Sequence, residues 1–366
     1  MKKHSLLLLL TCFSVSIVAL LYVSFDEIKL THHPFERTLL PSFVKEINSL
    51  TLENNKFYLS GSTNDHIYLA NHADPTKITY SNFALSGINH LQLANKEQFE
   101  FNVSFLTIDS PNFYISDFSS SKHYYGSFSD NIIKPSVQKR MMLVDAVPIN
   151  KQSLAVRTWK KDSIQELELA KLTSVPLNIE RASTLLQKQV DGIFCTDGKL
   201  IYNRDLDRLV YVYFYRNEFI CMDTTMSLIF RGNTLDTVNR VNLRPAEVKS
   251  ENQFTTLSRP LTTNPRSYTS GQWLFVQSGL LAKNEDEETF QNNSVIDVYD
   301  LTQKGEYTFS FYLPDYNGFK VKQFNVTGNL IAVIYDRYLV TYSITPDLLH
   351  AKKYLLRDKI RSKPKT

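Results

Sequence analysis

A chain of 366 residues, 43% hydrophobic and 21% charged, is long enough for one large domain or two ordinary ones and too apolar to remain unfolded. Its formal charge of +4 sits at the two ends: Lys2 and Lys3 open the chain, and seven Lys or Arg residues crowd the closing "KKYLLRDKIRSKPKT". The body between them is faintly acidic, which removes the electrostatic basis for nucleic-acid binding.

The first element is the uncharged run Leu6–Val23. As a helix it extends about 27 Å, enough to cross a bilayer core. Lysines precede it and Asp26 and Glu27 follow it, so the positive-inside rule puts the N-terminus in the cytoplasm and the rest outside. The run ends in "LLYVSF", a poor cleavage site, which favours an anchor over a removed signal peptide. Residues 1–25 are therefore read as an inner-membrane anchor, with a periplasmic domain over 31–347 and a basic tail over 348–366. That tail is either solvated and disordered or in contact with anionic lipid or cell-wall polymer.

After the anchor comes strand composition, with 20 Tyr and 23 Phe among many Val, Ile and Thr. "SIQELELAKLTS" (Ser163–Ser174) is the best helix candidate, yet its Ile164, Leu167 and Leu169 fit a strand nearly as well. A related pattern recurs roughly every 40–50 residues. It starts at Asn55 ("NKFYLSGS"), Ser110 ("SPNFYISDF"), Gln152 ("QSLAVRTW"), Asp207 ("DRLVYVYFYRN"), Gly271 ("GQWLFVQSG") and Gly328 ("GNLIAVIYD"). Each is an apolar strand, a polar connection and a second strand, flanked by one strand on either side. Four strands per unit and six units predict an all-β propeller, with seven blades possible. The last unit lacks a fourth strand, whereas "FERTLLPSF" (Phe35–Phe43) lacks a unit and resembles the outer strand "YTFSFYLPDY" (Tyr307–Tyr316). Phe35–Leu40 is therefore expected to complete the final blade and close the ring.

Within the fourth unit, Leu209–Tyr215 and Glu218–Met222 read as the two middle strands. Arg216-Asn217 is their tight turn, Asn suiting a positive φ. Cys195 is placed on the innermost strand and Cys221 two strands away, about 9.6 Å apart. That separation exceeds disulfide reach, so both are expected to be free, buried thiols. Residues 238–270 fit the repeat poorly, as a degenerate blade or a long insertion carrying one inner strand; such a loop is often functional.

Phosphate loops, HExxH metal sites and GxSxG elbows are absent from the sequence. His66 and His72 are spaced for neither a helix face nor a shared metal, and no cofactor or metal is expected. The densest polar cluster lies in the fourth unit, where Arg204, Asp205, Arg216 and Asn217 could be presented at blade ends. Beside the aromatics Tyr211, Tyr213, Phe214 and Tyr215, they form the candidate recognition surface, since Arg and Tyr are frequent interface anchors. The alternative is that these charges only solvate turns.

The motifs "YFYRNEFICMDTTMSLIFRGNTLDT", "IYLAN" and "FYISD" resemble those of uncharacterised membrane-anchored propeller proteins of Bacteroidetes, described as six-bladed or TolB-like. The resemblance covers most of residues 45–345, implies a periplasmic propeller and carries over no catalytic residue. Three functions follow as alternatives. The first is a non-catalytic scaffold for a partner protein or ligand. The second is a lactonase- or lyase-like enzyme, which needs converging carboxylate, Asn or His groups. The third is an accessory subunit of a periplasmic redox system.

Overall fold

Each repeat folds into a four-stranded antiparallel sheet, and six such sheets follow one another along the chain. The structure is a computed structural model describing residues 4, 10–11, 13–18, 30–138, 141–163, 165–241, 245–248, 253–256 and 261–344. It divides into two units, Met1–His32 and His33–Thr366. In the first, residues 4, 10–11 and 13–18 are helical and 30–32 are not. Among the described residues no helix is long and apolar enough to cross a membrane; most of Leu6–Val23, like the tail 348–366, lies outside them.

The second unit is a six-bladed propeller. The innermost strands of blades one to six are Phe57–Ser62, Ser104–Asp109, Leu143–Asn150, Gly198–Asn203, Arg266–Ser270 and Gln323–Thr327. The middle strands are buried on both faces, because each blade packs between two others. Val210–Tyr213 and Phe219–Met222 are fully enclosed, which explains why they read as continuous apolar runs. The outer strand Leu177–Ala182 is instead largely exposed. Among the described residues, separate hydrophobic clusters fill five of the junctions between blades, with Leu106, Phe113 and Ile115 between one and two, for example, and Phe309, Phe311 and Val333 between five and six. A further cluster of Leu154, Val156, Ala170 and Leu172 lies on blade three. The helix candidate Ser163–Ser174 contains a strand, Leu167–Ser174.

An N-terminal strand closes the ring, but it is Val44–Thr51, which pairs with Tyr338–Ile344 of blade six. The expected segment, Phe35–Leu40, docks one blade earlier. Thr38 and Leu40 exchange backbone hydrogen bonds with Ser310 on the outer strand of blade five. The reason is Arg37, which is wholly buried. Its Nε lies 2.8 Å from Asp297 Oδ1, and Nη1 is paired with Glu285. Burial alone would lower the guanidinium pKa; the two carboxylates overcome that and raise it. After Pro41, a left-handed Ser42 turns the chain. The half-polar VKEINSLT then suits an edge strand, with Lys45 and Glu46 exposed.

There is no seventh blade among the described residues of 238–270. They carry a hairpin, Pro245–Val248 with Gln253–Thr256, and then the innermost strand of blade five. This is the insertion alternative.

Candidate binding site

In an antiparallel blade, the turn after the first strand and the turn after the second lie at opposite ends. This places the four sequence candidates on two faces of the molecule. The lower face carries the turn after the first strand and the upper face the turn after the second. Arg204 and Asp205 follow Gly198–Asn203 and lie on the lower face; Arg216 and Asn217 follow Arg208–Tyr213 and lie on the upper. They do not form one surface.

Nor is Arg216 an exposed turn residue. It is 1% exposed, its guanidinium sits 3.7 Å from the centroid of the Tyr213 ring, and Nη1 donates to the Gln187 carbonyl at 2.9 Å. Nη2 makes an ionic contact of 2.9 Å with Glu218. The turn spans Phe214–Asn217 and is wider than expected, and Asn217 is not left-handed. Asn217 binds the Asp236 carbonyl, while Asn264 closes the turn through the carbonyls of Tyr213 and Arg216, each at 2.9 Å. On the lower face Asp205 accepts from the Gly271 amide of blade five at 2.5 Å. Arg204 pairs with Asp109 of blade two and lines a side pocket of about 440 Å³ with Lys151, Tyr114 and Tyr125.

Cys195 and Cys221 are free and buried, as expected. Cys195 precedes the innermost strand rather than lying on it. Burial pushes the Cys221 thiol up to about 11 and raises that of Cys195, so neither is a ready thiolate.

The innermost strands of all six blades line a channel of about 1110 Å³. Their side chains also hold neighbouring blades in register. Gln323 donates to and accepts from the Leu59 backbone, each at 2.9 Å, across the closing junction. Asp145 accepts from Lys199 and the Leu200 amide. Gly61 lets blade one approach blade two closely, because a Cβ there would lie 2.2 Å from the Ile108 carbonyl oxygen.

The two ends of the channel differ in chemistry. The lower mouth is polar, with Asn64, Asp109, Arg204, Asp205, Gln272 and Asn329. The upper mouth is apolar along blades two to four, where Val103, Phe105, Phe118, Leu143, Val144 and Phe214 line it. Val103 is 57% exposed, and Phe105 and Val144 about 40%. Phe105 belongs to an aromatic cluster, 5.4 Å from Phe118, 5.1 Å from His72 and 5.8 Å from Tyr58, with His72 stacked on Tyr58 at 4.5 Å. Desolvation and the Lys322 ammonium lower the pKa of His72. It is an aromatic wall residue here, and among the described residues it belongs to no group placed to hold a metal ion.

Facing this wall from blade five, opposite blade two in a six-membered ring, is Arg266. Its Nε donates to the Lys322 carbonyl at 2.5 Å and its Nη1 to Gln277 Oε1 at 3.2 Å. Both acceptors are neutral, and burial lowers the guanidinium pKa. The Lys322 ammonium, in blade six, rests on the Asn55 carbonyl at 2.5 Å. No group of three His, Cys, Asp or Glu among the described residues is placed to hold a metal ion.

No protein-family model matches the sequence, and no curated protein does. Solved structures share the fold. One is a member of the DUF4221 family from Bacteroides vulgatus, 13% identical, with 84% of this chain covered, 99% of that one and a TM-score of 0.51. Another is a candidate exported protein from Bacteroides fragilis, 9% identical, covering 86% and 99%, also with a TM-score of 0.51. The chain is a six-bladed β-propeller that weakly resembles other uncharacterised propellers, some from Bacteroidetes.

Sequence reasoning missed the upper mouth. Val103, Phe105 and Val144 stand in ordinary strand patterns, and nothing local separates an apolar residue facing a channel from one facing a blade. One signal was present: Arg266 lies in 238–270, the segment singled out as a loop of functional length.

Proposed function

We propose that this protein is a non-catalytic, TolB-like propeller that binds its ligand or partner at the upper mouth of its channel. We further propose that Leu6–Val23 holds it in the inner membrane with the propeller in the periplasm. The observation that carries the binding reading is the concentration of exposed apolar side chains, Val103, Phe105 and Val144, at one end of an open channel. Pockets that take small molecules are concave and mostly apolar, with a few polar groups that fix orientation. Leaving Phe105 uncovered gives up the stabilisation its burial would bring, about 25 cal/mol per Å², which a guest would restore. Arg204, Asp205, Arg216 and Asn217 then serve mainly to hold the blades and their turns, with the exposed part of Arg204, paired to Asp109, able to contact a guest from the lower side.

The test is site-specific photo-crosslinking in the native membrane. A crosslinking residue at Val103 or Val144 should give a discrete added mass on the intact protein. One at Ile229, exposed on the outer strand of blade four, should not. Equal adducts at all three positions, or none at the mouth, would remove the channel as the binding site.

A further inference from the structure

We infer that the upper mouth takes a small amphipathic oxyanion, its head against Arg266 and Lys322 and its apolar body against Phe105, Phe118 and Val144. The inference rests on the mouth being the binding site, and adds the chemistry of what binds there.

The argument begins with the charge of Arg266. A guanidinium taken partly out of water is normally repaid by a carboxylate, as Arg37 is by Asp297 and Glu285 and Arg157 by Asp197. Arg266 has no such partner: among the described residues its hydrogen bonds go to a carbonyl and an amide oxygen. Of the five N–H donors of a guanidinium, these two bonds occupy two. The remaining donors form the planar fork that matches a carboxylate or phosphate. Lys322 makes no salt bridge among the described residues; the Asp336 carboxylate reaches it only through space, and its ammonium is close enough to lower the pKa of His72. A guanidinium without a carboxylate, with an ammonium that has no salt bridge beside it, attracts an anion to this end of the channel. The other charges lining this end, Lys199 and Asp145, are paired with each other at 3.1 Å.

The apolar side argues the rest of the guest. The aromatic wall lies on blade two, opposite Arg266, so a free inorganic anion would satisfy the cations and leave the wall wet. A guest with both an anionic head and an aromatic or alkyl body covers both. A volume of about 1110 Å³ along the whole channel accommodates one such molecule in its upper half.

The experiment is isothermal titration calorimetry on the full chain in nanodiscs, with empty nanodiscs as the blank. Three probes share one ring system: 2-naphthoate, 2-naphthyl phosphate and the uncharged 2-naphthamide. Both anions should bind at least about tenfold more tightly than the amide, the worth of one charge-assisted hydrogen bond. The stronger of the two tells a carboxylate guest from a phosphate one. Arg266→Gln should abolish that preference and leave amide affinity unchanged, which also shows that the channel is intact. Lys322→Gln should reduce the preference several-fold, and Phe105→Ala should weaken all three probes. Equal binding of anions and amide, or a preference that survives both charge substitutions, overturns the oxyanion inference while leaving the channel as a site. No binding by any probe overturns both.

Discussion

Arg216 shows how burial changes the meaning of a residue. In a solvated turn its removal would cost about 0.5 kcal/mol. Here it is enclosed over Tyr213, with Glu218 and the Gln187 carbonyl as partners. Its truncation removes the ring contact and leaves the Gln187 carbonyl without its donor, while Glu218 keeps Arg231, a loss of about 2 kcal/mol. Chemical denaturation of Arg216→Ala would check this, and a change below about 0.5 kcal/mol would return the residue to the solvent. His123 carries a pH dependence. It is buried with Nδ1 2.9 Å from Ser116 Oγ, and desolvation holds its pKa down to about 4 despite the nearby Asp117. Unfolded, it titrates near 6.5, so its contribution is complete above that pH and is lost as pH falls towards 4. The loss amounts to about 3 kcal/mol. Below that window Asp117 takes over: burial raises its pKa, but hydrogen bonds from Ser119, Ser120, Ser104 and the Asn102 amide bring it below the ordinary carboxylate range. A His123→Gln variant should show a flatter stability profile between about pH 6.5 and 4, while both proteins fall together in stronger acid.

Two neighbouring segments at the N-terminus do different work. Thr38–Leu40 ties the chain to blade five through Arg37, and Val44–Thr51 completes blade six. Arg37→Ala leaves Glu285 and Asp297 as buried carboxylates without their cation, costing about 3–5 kcal/mol. Adding Glu285→Gln and Asp297→Asn should recover much of that loss in the same denaturation assay. Truncation tests the two segments separately. A chain starting at residue 42 should be destabilised yet remain monomeric, because blade six keeps its outer strand. A chain starting at residue 52 exposes the backbone of Tyr338–Ile344 and should aggregate through that edge. Equal light scattering from the two truncations would deny Val44–Thr51 its closing role.

For the molecule as a whole, stability and binding draw on different parts of the same ring. The apolar clusters lie between and within the blades rather than on the axis, so the channel needs no side chains to fill it, and its wall is free to differ from one end to the other. The anchoring proposed for Leu6–Val23 predicts that alkaline carbonate leaves the protein in the membrane and that protease added to spheroplasts digests its body. A soluble mature chain beginning after residue 24 would replace the anchor by a cleaved signal.

Much of the architecture was legible in the sequence because it depends on local pattern. Middle strands buried on two faces need unbroken runs such as "LVYVY" and "LIAVIY", and six of them give six blades. Cys195 and Cys221 are unpaired, as expected, but Cys195 precedes its strand, so strand spacing is not what separates them. What only the tertiary structure decided depends on which distant groups meet. "FERTLL" resembles an outer strand and lies beside one, but the buried carboxylates of blade five hold it there through Arg37, and those acids are some 250 residues away. Arg204 and Arg216 are near in sequence and belong to opposite faces, because a strand between two turns separates them by its length. Arg266 and Phe105 belong to one mouth, because closing the ring brings blade five across from blade two.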